Sequence, residues 1–183
     1  MLTINFNPFP NLETERLSLR RVVKSDVKEI FALRSDKEIM KYIPRPLAKT
    51  NEDALEHIAT IDATIDKNEG INWAITLKNS SKLIGIIGHY RIQPQNHRAE
   101  VGYILHPEHH GKGIVPEALK KVLEYGFNEM KLHTIEAVID PNNAASEKVL
   151  LKSGFTKEAH FIENQFYEGR FLDTVIYSLL NKY

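Results

Sequence analysis

The chain has 183 residues, an apolar fraction of 42% and a charged fraction of 26%, which is typical of one globular domain and excludes disordered and fibrous classes. Lysine plus arginine and aspartate plus glutamate number 24 each, so the chain lacks the net positive charge that binds nucleic acid or an anionic membrane. Cysteine is absent, which excludes disulfides and thiol nucleophiles. We expect a single soluble, cytoplasmic domain over residues 1–183, without nucleic-acid or membrane partners.

The first quarter of the chain is predicted to hold one strand and then helices. Residues 15–23 alternate apolar and polar side chains, which is typical of a half-buried strand. The helices that follow have apolar residues at helical spacing, and the third is expected to end near Gly70. Their candidate N-terminal caps are Ser25 or Asp26, a Ser35–Glu38 capping box and a Thr50–Asp53 cap.

A run of strands is predicted in the middle of the chain. Segments 72–77, 83–92 and 99–105 read as three successive antiparallel strands. A glycine-bearing loop, an amphipathic helix over about 119–130 and the strand 134–139 come next. The helix is therefore the expected crossover between two parallel strands.

A short helix and two strands are predicted to complete the chain. The helix contains Ala145, Val149 and Leu150, and Gly154 suits its left-handed C-terminal position. The strands are predicted at Phe155–Ile162 and Leu172–Leu180, joined through NQFYEG.

The loop HHGKG, between a strand and a helix, is a candidate phosphate site because glycines let backbone N–H groups converge at the positive end of a helix. A Walker loop is excluded, because no Ser or Thr follows Lys112. The dinucleotide fingerprint G-x-G-x-x-G is excluded by Pro116, which stands where its third glycine belongs. A simple structural turn remains an alternative.

Four segments in order resemble the GCN5-related N-acetyltransferases, and within them the RimJ/RimL-like branch of ribosomal-protein N-terminal acetyltransferases. They are ETERLSLRRV, AEVGYILHPEHHGKGIVPEAL, NNAASEKVLLKSGF and FLDTVIYSLL. The resemblance implies a mixed α+β fold with a predominantly antiparallel central sheet and helices on both faces. Strands four (AEVGYIL) and five (TIEAVI) would be parallel and splayed, with acetyl-CoA in the V-shaped opening.

The resemblance also implies a set of cofactor-binding residues. The family loop has the form Q/R-x-x-G-x-G/A, and this chain departs from it at His110 and Val115. Because a side-chain change removes no N–H group, we expect the loop amides to bind the diphosphate all the same. The implied set is Ile104, Leu105, His106, His110, Gly111, Lys112, Gly113, Ile114, Val115, Asn143 and Ser146.

The catalytic residues are predicted with alternatives left open. The family's usual acid, a tyrosine, is replaced by Leu150. By resemblance Ser146 would lie near the sulfur instead, although serine and asparagine before an apolar helix are also ordinary N-caps. Glu100 is the predicted general base, against the alternative of a solvated surface carboxylate. Rival polar groups are His89, Tyr90 and Tyr167.

The predicted function is acetyl-CoA-dependent transfer of an acetyl group directly to a primary amine, on a small molecule or a peptide N-terminus. One alternative is a non-catalytic acyl-CoA-binding regulatory module, and a weaker one is an interaction domain. A metal site at His106, His109 and His110 is rejected, because further ligands at defined spacing are missing. Gly169 and Asp173 are assigned to a structural turn and strand, and a homodimer is allowed by analogy.

Overall fold

The computed structural model describes residues 1–181; residues 182 and 183, the last two of the predicted domain, lie outside the described residues. Eight strands within that range form a single sheet in the order β1-β2-β3-β4-β5-β6-β8-β7. The strands are β1 Leu12–Glu13, β2 Leu17–Arg21, β3 Ile71–Leu77, β4 Leu83–Gln93, β5 Arg98–Leu105, β6 Thr134–Ile139, β7 Thr156–Tyr167 and β8 Arg170–Leu180. The helices are α1 Val27–Ser35, α2 Lys37–Met40, α3 Asn51–Asp66, α4 Ile114–Asn128 and α5 Ala144–Lys152.

The sheet is antiparallel except between β5 and β6, among the strands described. These are the segments AEVGYIL and TIEAVI, and α4 connects them as the expected crossover. They are strands five and six rather than four and five, because the short strand β1 precedes the first predicted strand. The α+β fold and the mostly antiparallel sheet are confirmed.

Strands β5 and β6 separate soon after they meet. Their pairing covers only Arg98 with Thr134, Ala99 with Ile135 and Glu100 with Glu136. Each then stays bonded to its outer neighbour, β5 to β4 as far as Leu105 and β6 to β8 as far as Ile139. The sheet therefore opens between the C-terminal halves of β5 and β6.

Helices pack on both faces of the sheet. On one face Trp73 of β3 makes an edge contact with Tyr125 of α4, with ring centroids 5.3 Å apart. On the other face α1 contacts β4, and α3 contacts β3 and α1. Because β3 is covered on both sides, all of Ile71–Thr76 is buried rather than one alternating face. No helix within residues 1–181 has the length and apolar character needed to cross a membrane.

Two of the predicted helix caps are wrong. The side chain of Asp26 does not cap α1; it is buried and pairs with Arg20, whose guanidinium nitrogens lie 2.7 and 2.8 Å from the carboxylate. At α2 the cap is Asp36, which accepts from the amides of Glu38 and Ile39, and not Ser35. Ser35 loses the cap to the adjacent Asp36, whose carboxylate accepts from two helix amides. Asp26 does not cap because its carboxylate pairs with Arg20 instead. The Thr50–Asp53 box is confirmed at α3.

The C-terminal hairpin is longer than predicted. NQFY continues β7 to Tyr167, so that only Glu168 and Gly169 form the turn before β8. The sequence favoured a longer loop because asparagine, glutamine and glycine cluster there. Gly154 has φ +89°, which confirms the predicted left-handed end of α5.

Candidate active site

The loop after β5 presents a row of unpartnered backbone donors. Gly111 and Gly113 have φ of +71° and +74°, and α4 begins directly after them at Ile114. Within residues 1–181 no acceptor bonds to the amides of residues 111–115, and the bonding of the helix begins with the amide of Glu117 to the carbonyl of Gly113. Consecutive free N–H groups at a helix N-terminus attract anions. The loop therefore has the donors that a diphosphate requires.

Two side chains hold this loop against the sheet. His110 Nε2 lies 2.9 Å from the carbonyl oxygen of Leu105, so the imidazole turns back onto the end of β5. Arg16 Nη1 donates to the carbonyl oxygen of Lys112 at 3.0 Å. The departure from the family pattern at His110 thus has a local role, because the ring fastens the loop to the strand that it follows.

Glu117 fixes Arg16 in turn. Its carboxylate accepts from Thr14 Oγ1 at 2.6 Å, from the Arg16 amide at 2.9 Å and from Arg16 Nε at 2.7 Å. Arg16 and Glu117 are 101 positions apart in the chain. Neither was predicted, because no local pattern links two residues that meet only in the folded sheet.

The residues that end β5 are close to the loop but do not all offer donors. Leu105 is buried and Ile104 half-buried. The amide of His106 donates to Ile84 O at 2.8 Å, and its imidazole accepts from the amide of Glu108 at 3.4 Å. His106 is therefore engaged in the strand end and the turn that follows it.

The start of α5 lies across the opening from β5. Asn143 is its N-cap and accepts from the amide of Ser146 at 3.1 Å, so the capping residue is Asn143 and not Ser146. Ser146 is half-buried, and its hydroxyl group is close to the phenol of Tyr103. Leu150, where the family's tyrosine would stand, is completely buried in the core.

Tyr103 is a polar residue of the opening that was not predicted. Its hydroxyl oxygen is buried and has no hydrogen-bond partner of good geometry among residues 1–181. Burial raises the pKa of Tyr103, and the Ser146 hydroxyl acts in the opposite sense. A buried hydroxyl without a partner is costly and is often a group that meets a ligand. The two hydroxyl groups form a polar pair between β5 and α5.

Glu100 lies at the apex of the opening, in the last pair of residues before β5 and β6 separate. Its carboxylate is 20% exposed and accepts from Arg91 Nη1 at 2.8 Å. Burial raises the pKa of Glu100, Arg91 opposes that shift, and the neighbouring Glu136 adds to it. The carboxylate is therefore partly desolvated and within reach of the opening rather than a fully solvated surface group.

The rival polar groups fall on different sides of the sheet. His89 is completely buried beneath α4, with Nε2 3.0 Å from Val122 O, and burial lowers its pKa to about 4. Tyr90 is on the opposite face, directly across from Glu100, and donates no proton readily because burial raises its pKa to about 12. His89 is thus a core residue, whereas Tyr90 lies beside Glu100.

A cleft of about 960 Å³ lies on the Glu100 face of the sheet. The segment between α2 and α3, the end of β6 and the β7–β8 hairpin surround it. Arg45, Ile139, Asn142 and Tyr167 are among its lining residues. Since Ile139 ends β6 and Asn142 precedes α5, the cleft adjoins the opening between β5 and β6.

The three histidines do not converge. The rings of His106 and His109 have centroids 6.4 Å apart, and His110 is bonded to the backbone of β5. In the part of the chain that the structure describes, no three His, Cys, Asp or Glu residues are grouped as metal ligands would be.

The family model for the acetyltransferase (GNAT) domain matches residues 16–156. The chain belongs to the GNAT acetyltransferase family. It is 37% identical over 172 residues to an uncharacterized N-acetyltransferase, YoaA, of Bacillus subtilis, covering 94% of this chain and 97% of that one. The reaction of the present chain is the transfer of an acetyl group to an amine, with acetyl-CoA as the donor.

Solved structures share the fold along almost the whole chain. The ribosomal-protein-S5-alanine acetyltransferase of Vibrio fischeri has a TM-score of 0.82 and 26% identity, covering 94% of this chain and 97% of that chain. A spermidine N-acetyltransferase of Vibrio cholerae, in complex with CoA and spermine, has a TM-score of 0.80 and 26% identity, covering 91% and 96%. The chain is thus similar both to a ribosomal-protein acetyltransferase and to a spermidine acetyltransferase.

Proposed function

We propose that this GNAT enzyme is of the RimJ/RimL-like kind and transfers acetyl directly to a primary amine, on a peptide N-terminus or a small molecule. The observation that supports the proposal is the separation of β5 and β6 after Glu100, with the unpartnered amides of residues 111–115 at the end of the opening. An opening in a sheet that leaves polar groups without partners is unfavourable unless a ligand uses them.

The loop amides are proposed to bind the diphosphate of acetyl-CoA. The amides of residues 111–115 approach it as N–H donors at the positive end of α4. Asn143 fixes the start of α5, which places Ser146 beside the opening. Acetyl-CoA, when bound, supplies the thioester carbonyl that the amine attacks.

Glu100 is proposed to remove the proton of the attacking amine, directly or through one water molecule. A base near the apex meets an amine that arrives from the cleft, and a raised pKa improves its ability to accept a proton near neutrality. Arg91 keeps the carboxylate ionised in the resting enzyme.

Tyr103 is proposed to take the place of the acid that Leu150 lacks. As the nitrogen–carbon bond forms and the carbon–sulfur bond breaks, the Tyr103 hydroxyl donates its proton toward sulfur, with the Ser146 hydroxyl beside it. The phenolate then regains a proton from solvent. Burial raises the pKa of Tyr103, which keeps the phenol protonated and able to donate a hydrogen bond, and then its proton, as negative charge develops on sulfur.

The test measures CoA release with a panel of amines and CoA affinity by calorimetry. Glu100→Gln and Tyr103→Phe are each expected to lower kcat by roughly 100-fold, the lower end of what a positioned acid or base contributes. The affinity for CoA should equal that of the wild type in both variants. The matched control is Tyr125→Phe, which removes the hydroxyl of a tyrosine of α4 whose ring packs on Trp73, and it should keep full activity.

Each negative outcome has a distinct meaning. An unchanged rate in Glu100→Gln or Tyr103→Phe removes that residue from its role. CoA binding without turnover on any amine would favour the non-catalytic module instead. A crystal soaked with CoA that shows it away from residues 111–115 would contradict the proposed binding loop.

A further inference from the structure

The arginines of the described chain divide into two groups. Those with a carboxylate oxygen 2.6 to 2.9 Å away are Arg16, Arg20, Arg21, Arg91 and Arg98. Within residues 1–181, no ion pair or side-chain hydrogen bond engages the other three, Arg34, Arg45 and Arg170. Arg45 and Arg170 line the 960 Å³ cleft, and Arg34 lies next to Arg45. Two of the three unpaired arginines therefore line one cavity, and the third is close to Arg45 and to Tyr167, which also line it.

Arg34, near the end of α1, has a positive charge that no carboxylate pairs with among residues 1–181. It is half-buried, and burial together with the positive charge of Arg45 lowers its pKa. Only the phenols of Tyr90 and Tyr167 act in the opposite sense. A partly desolvated cation without an anion lowers the stability of the fold, and such destabilising groups are typical of ligand-binding sites.

The titratable groups near Arg34 do not neutralise it. His57 of α3 is close enough to feel its charge, and burial together with that charge lowers the His57 pKa to about 4, so the ring is neutral near pH 7. Glu100 feels the charge of Arg45 but is bonded to Arg91.

The acidic residues that line the cleft have other partners. Asp140 accepts from the backbone and side-chain nitrogens of Asn142, and Asp173 accepts from His160 and from the amide of Glu163. The carboxylate of Glu168 interacts with the hydroxyl of its neighbour Tyr167. Lys37 and Lys41 add positive charge to the lining. None of these carboxylates pairs with Arg45 or Arg170 within residues 1–181, so the guanidinium donors of both arginines stay free in the cleft.

We propose that the acetyl acceptor carries a negatively charged group, of the carboxylate or phosphate type, which Arg34 and Arg45 bind in the cleft while the amine reaches Glu100. The inference rests on the proposed acetyl transfer and names the substrate class. Guanidinium groups bind both anions through paired N–H donors. The lining carries four cationic side chains against three carboxylates, Asp140, Glu168 and Asp173, and Arg34 adds a further positive charge, so spermidine is expected to be a poorer acceptor than an anionic amine.

The first test measures anion binding without any turnover. Thermal unfolding is followed in succinate, in inorganic phosphate and in neutral succinamide, at equal ionic strength. At least one of the two anions is expected to raise the Tm of the wild-type protein above its value in succinamide. Arg34→Gln should abolish that rise. Lys28→Gln removes one charge from the same helix at a different cavity and should keep the rise.

The same variants separate a binding role from a structural one. If Arg34 is held in place for a ligand, Arg34→Gln should leave the ligand-free Tm unchanged or raise it, because an uncompensated charge is removed. A clear fall in the ligand-free Tm would mean that Arg34 stabilises the fold, and would overturn the proposal. So would anions that fail to raise the wild-type Tm, or that raise the Tm of Arg34→Gln equally.

The second test compares matched acceptors. Amino acids and acidic peptides are compared with their amides, in which the carboxylate is neutral but the amine is kept. We expect the acid of the best pair to have a kcat/KM at least about tenfold higher, the effect of one charge-assisted contact of about 1.4 kcal/mol. Arg34→Gln should bring the ratio close to one with little change for the amide.

The two proposals fail in different ways. If the amides or spermidine are acetylated better than the acids, the enzyme is an N-acetyltransferase but the acidic acceptor is refuted. If no amine is acetylated, the proposed function fails, while the Tm measurement still decides whether Arg34 binds an anion.

Discussion

The contact between Glu117 and Arg16 gives a quantitative test of how the cofactor loop is held. Glu117→Gln keeps the shape of the side chain but replaces a carboxylate with one acceptor oxygen and one amide nitrogen. The bonds from Thr14 and from the Arg16 amide share Oε1 and can survive, whereas Arg16 Nε and Nη2, both 2.7 Å from Oε2, would face the new amide group. The guanidinium is then expected to turn into solvent and to release Lys112 O.

The expected loss follows from the exposure of the pair. Hydrogen bonds to charged groups contribute about 1.5–3 kcal/mol when buried, and exposed ion pairs about 0.2–1 kcal/mol. Arg16 is 47% exposed and Glu117 20%, so an intermediate loss of about 1–2 kcal/mol is expected. For a chain of this size that corresponds to a fall in Tm of roughly 2–8 °C.

The pH dependence has a defined sign. Burial opposes ionisation, but the bonds from Thr14 and Arg16 outweigh it and lower the pKa of Glu117. Its stabilisation is therefore complete above the unfolded-state pKa and is lost as the pH falls through the lower folded-state value. The difference between wild type and Glu117→Gln should shrink in acid.

The assay pairs chemical denaturation with calorimetric CoA binding. A roughly tenfold rise in the Kd for CoA is expected, since a loosened loop must be ordered on binding. The control is Glu124→Gln on the same helix, whose carboxylate lies 3.5 Å from Lys121 Nζ at the surface. Its stability and CoA affinity should stay at wild-type values. If Glu117→Gln loses stability but binds CoA normally, Arg16 does not order the loop, and the reasoning is wrong.

Two further predictions concern the core. Between pH 6.5 and 4 the free energy of unfolding of the wild type should fall by on the order of 3 kcal/mol through His89. The cause is that the unfolded chain binds a proton that the buried ring, with its pKa of about 4, does not bind. The free energy of unfolding of His89→Gln should depend less on pH, and equal slopes for the two proteins would contradict this. Leu150→Ala should cost about 2–5 kcal/mol as a cavity in the core, measured by urea unfolding against Leu151→Ala, whose side chain is 51% exposed and should matter little.

Local patterns predicted the elements well where one physical signal dominated. TIEAVI was predicted as a strand over the same residues that form β6, and Gly154 has the predicted left-handed conformation. Cap assignment was less successful, since Ser35 and Asp36 are adjacent and either can accept helix N–H groups. Asp26 turns away from its own helix because its carboxylate accepts from the amide of Val23 and from the guanidinium of Arg20.

The candidate site was predictable where it depends on the backbone. The loop glycines and the helix start of residues 111–115 could be read from the sequence, whereas Tyr103, Arg16 and Arg34 could not. Tyr103 stands in an alternating strand, where nothing local shows that its hydroxyl lacks a partner. The domain limits, a cytoplasmic location, a homodimer and the absence of nucleic-acid partners remain predictions.

The two halves of the site differ in how sequence changes affect them. On the loop side, the binding groups are main-chain amides, so His110 and Val115 can depart from the family pattern without removing a donor. On the acceptor side, the polar groups are side chains that converge from α1, α3, β4 and the hairpin, and one substitution changes the charge that a substrate meets. A family of this fold can therefore keep acetyl-CoA as its one acetyl donor and change its acceptors. Similarity for this reason shows acetyl transfer, whereas the proposed class of acceptor is tested at Arg34.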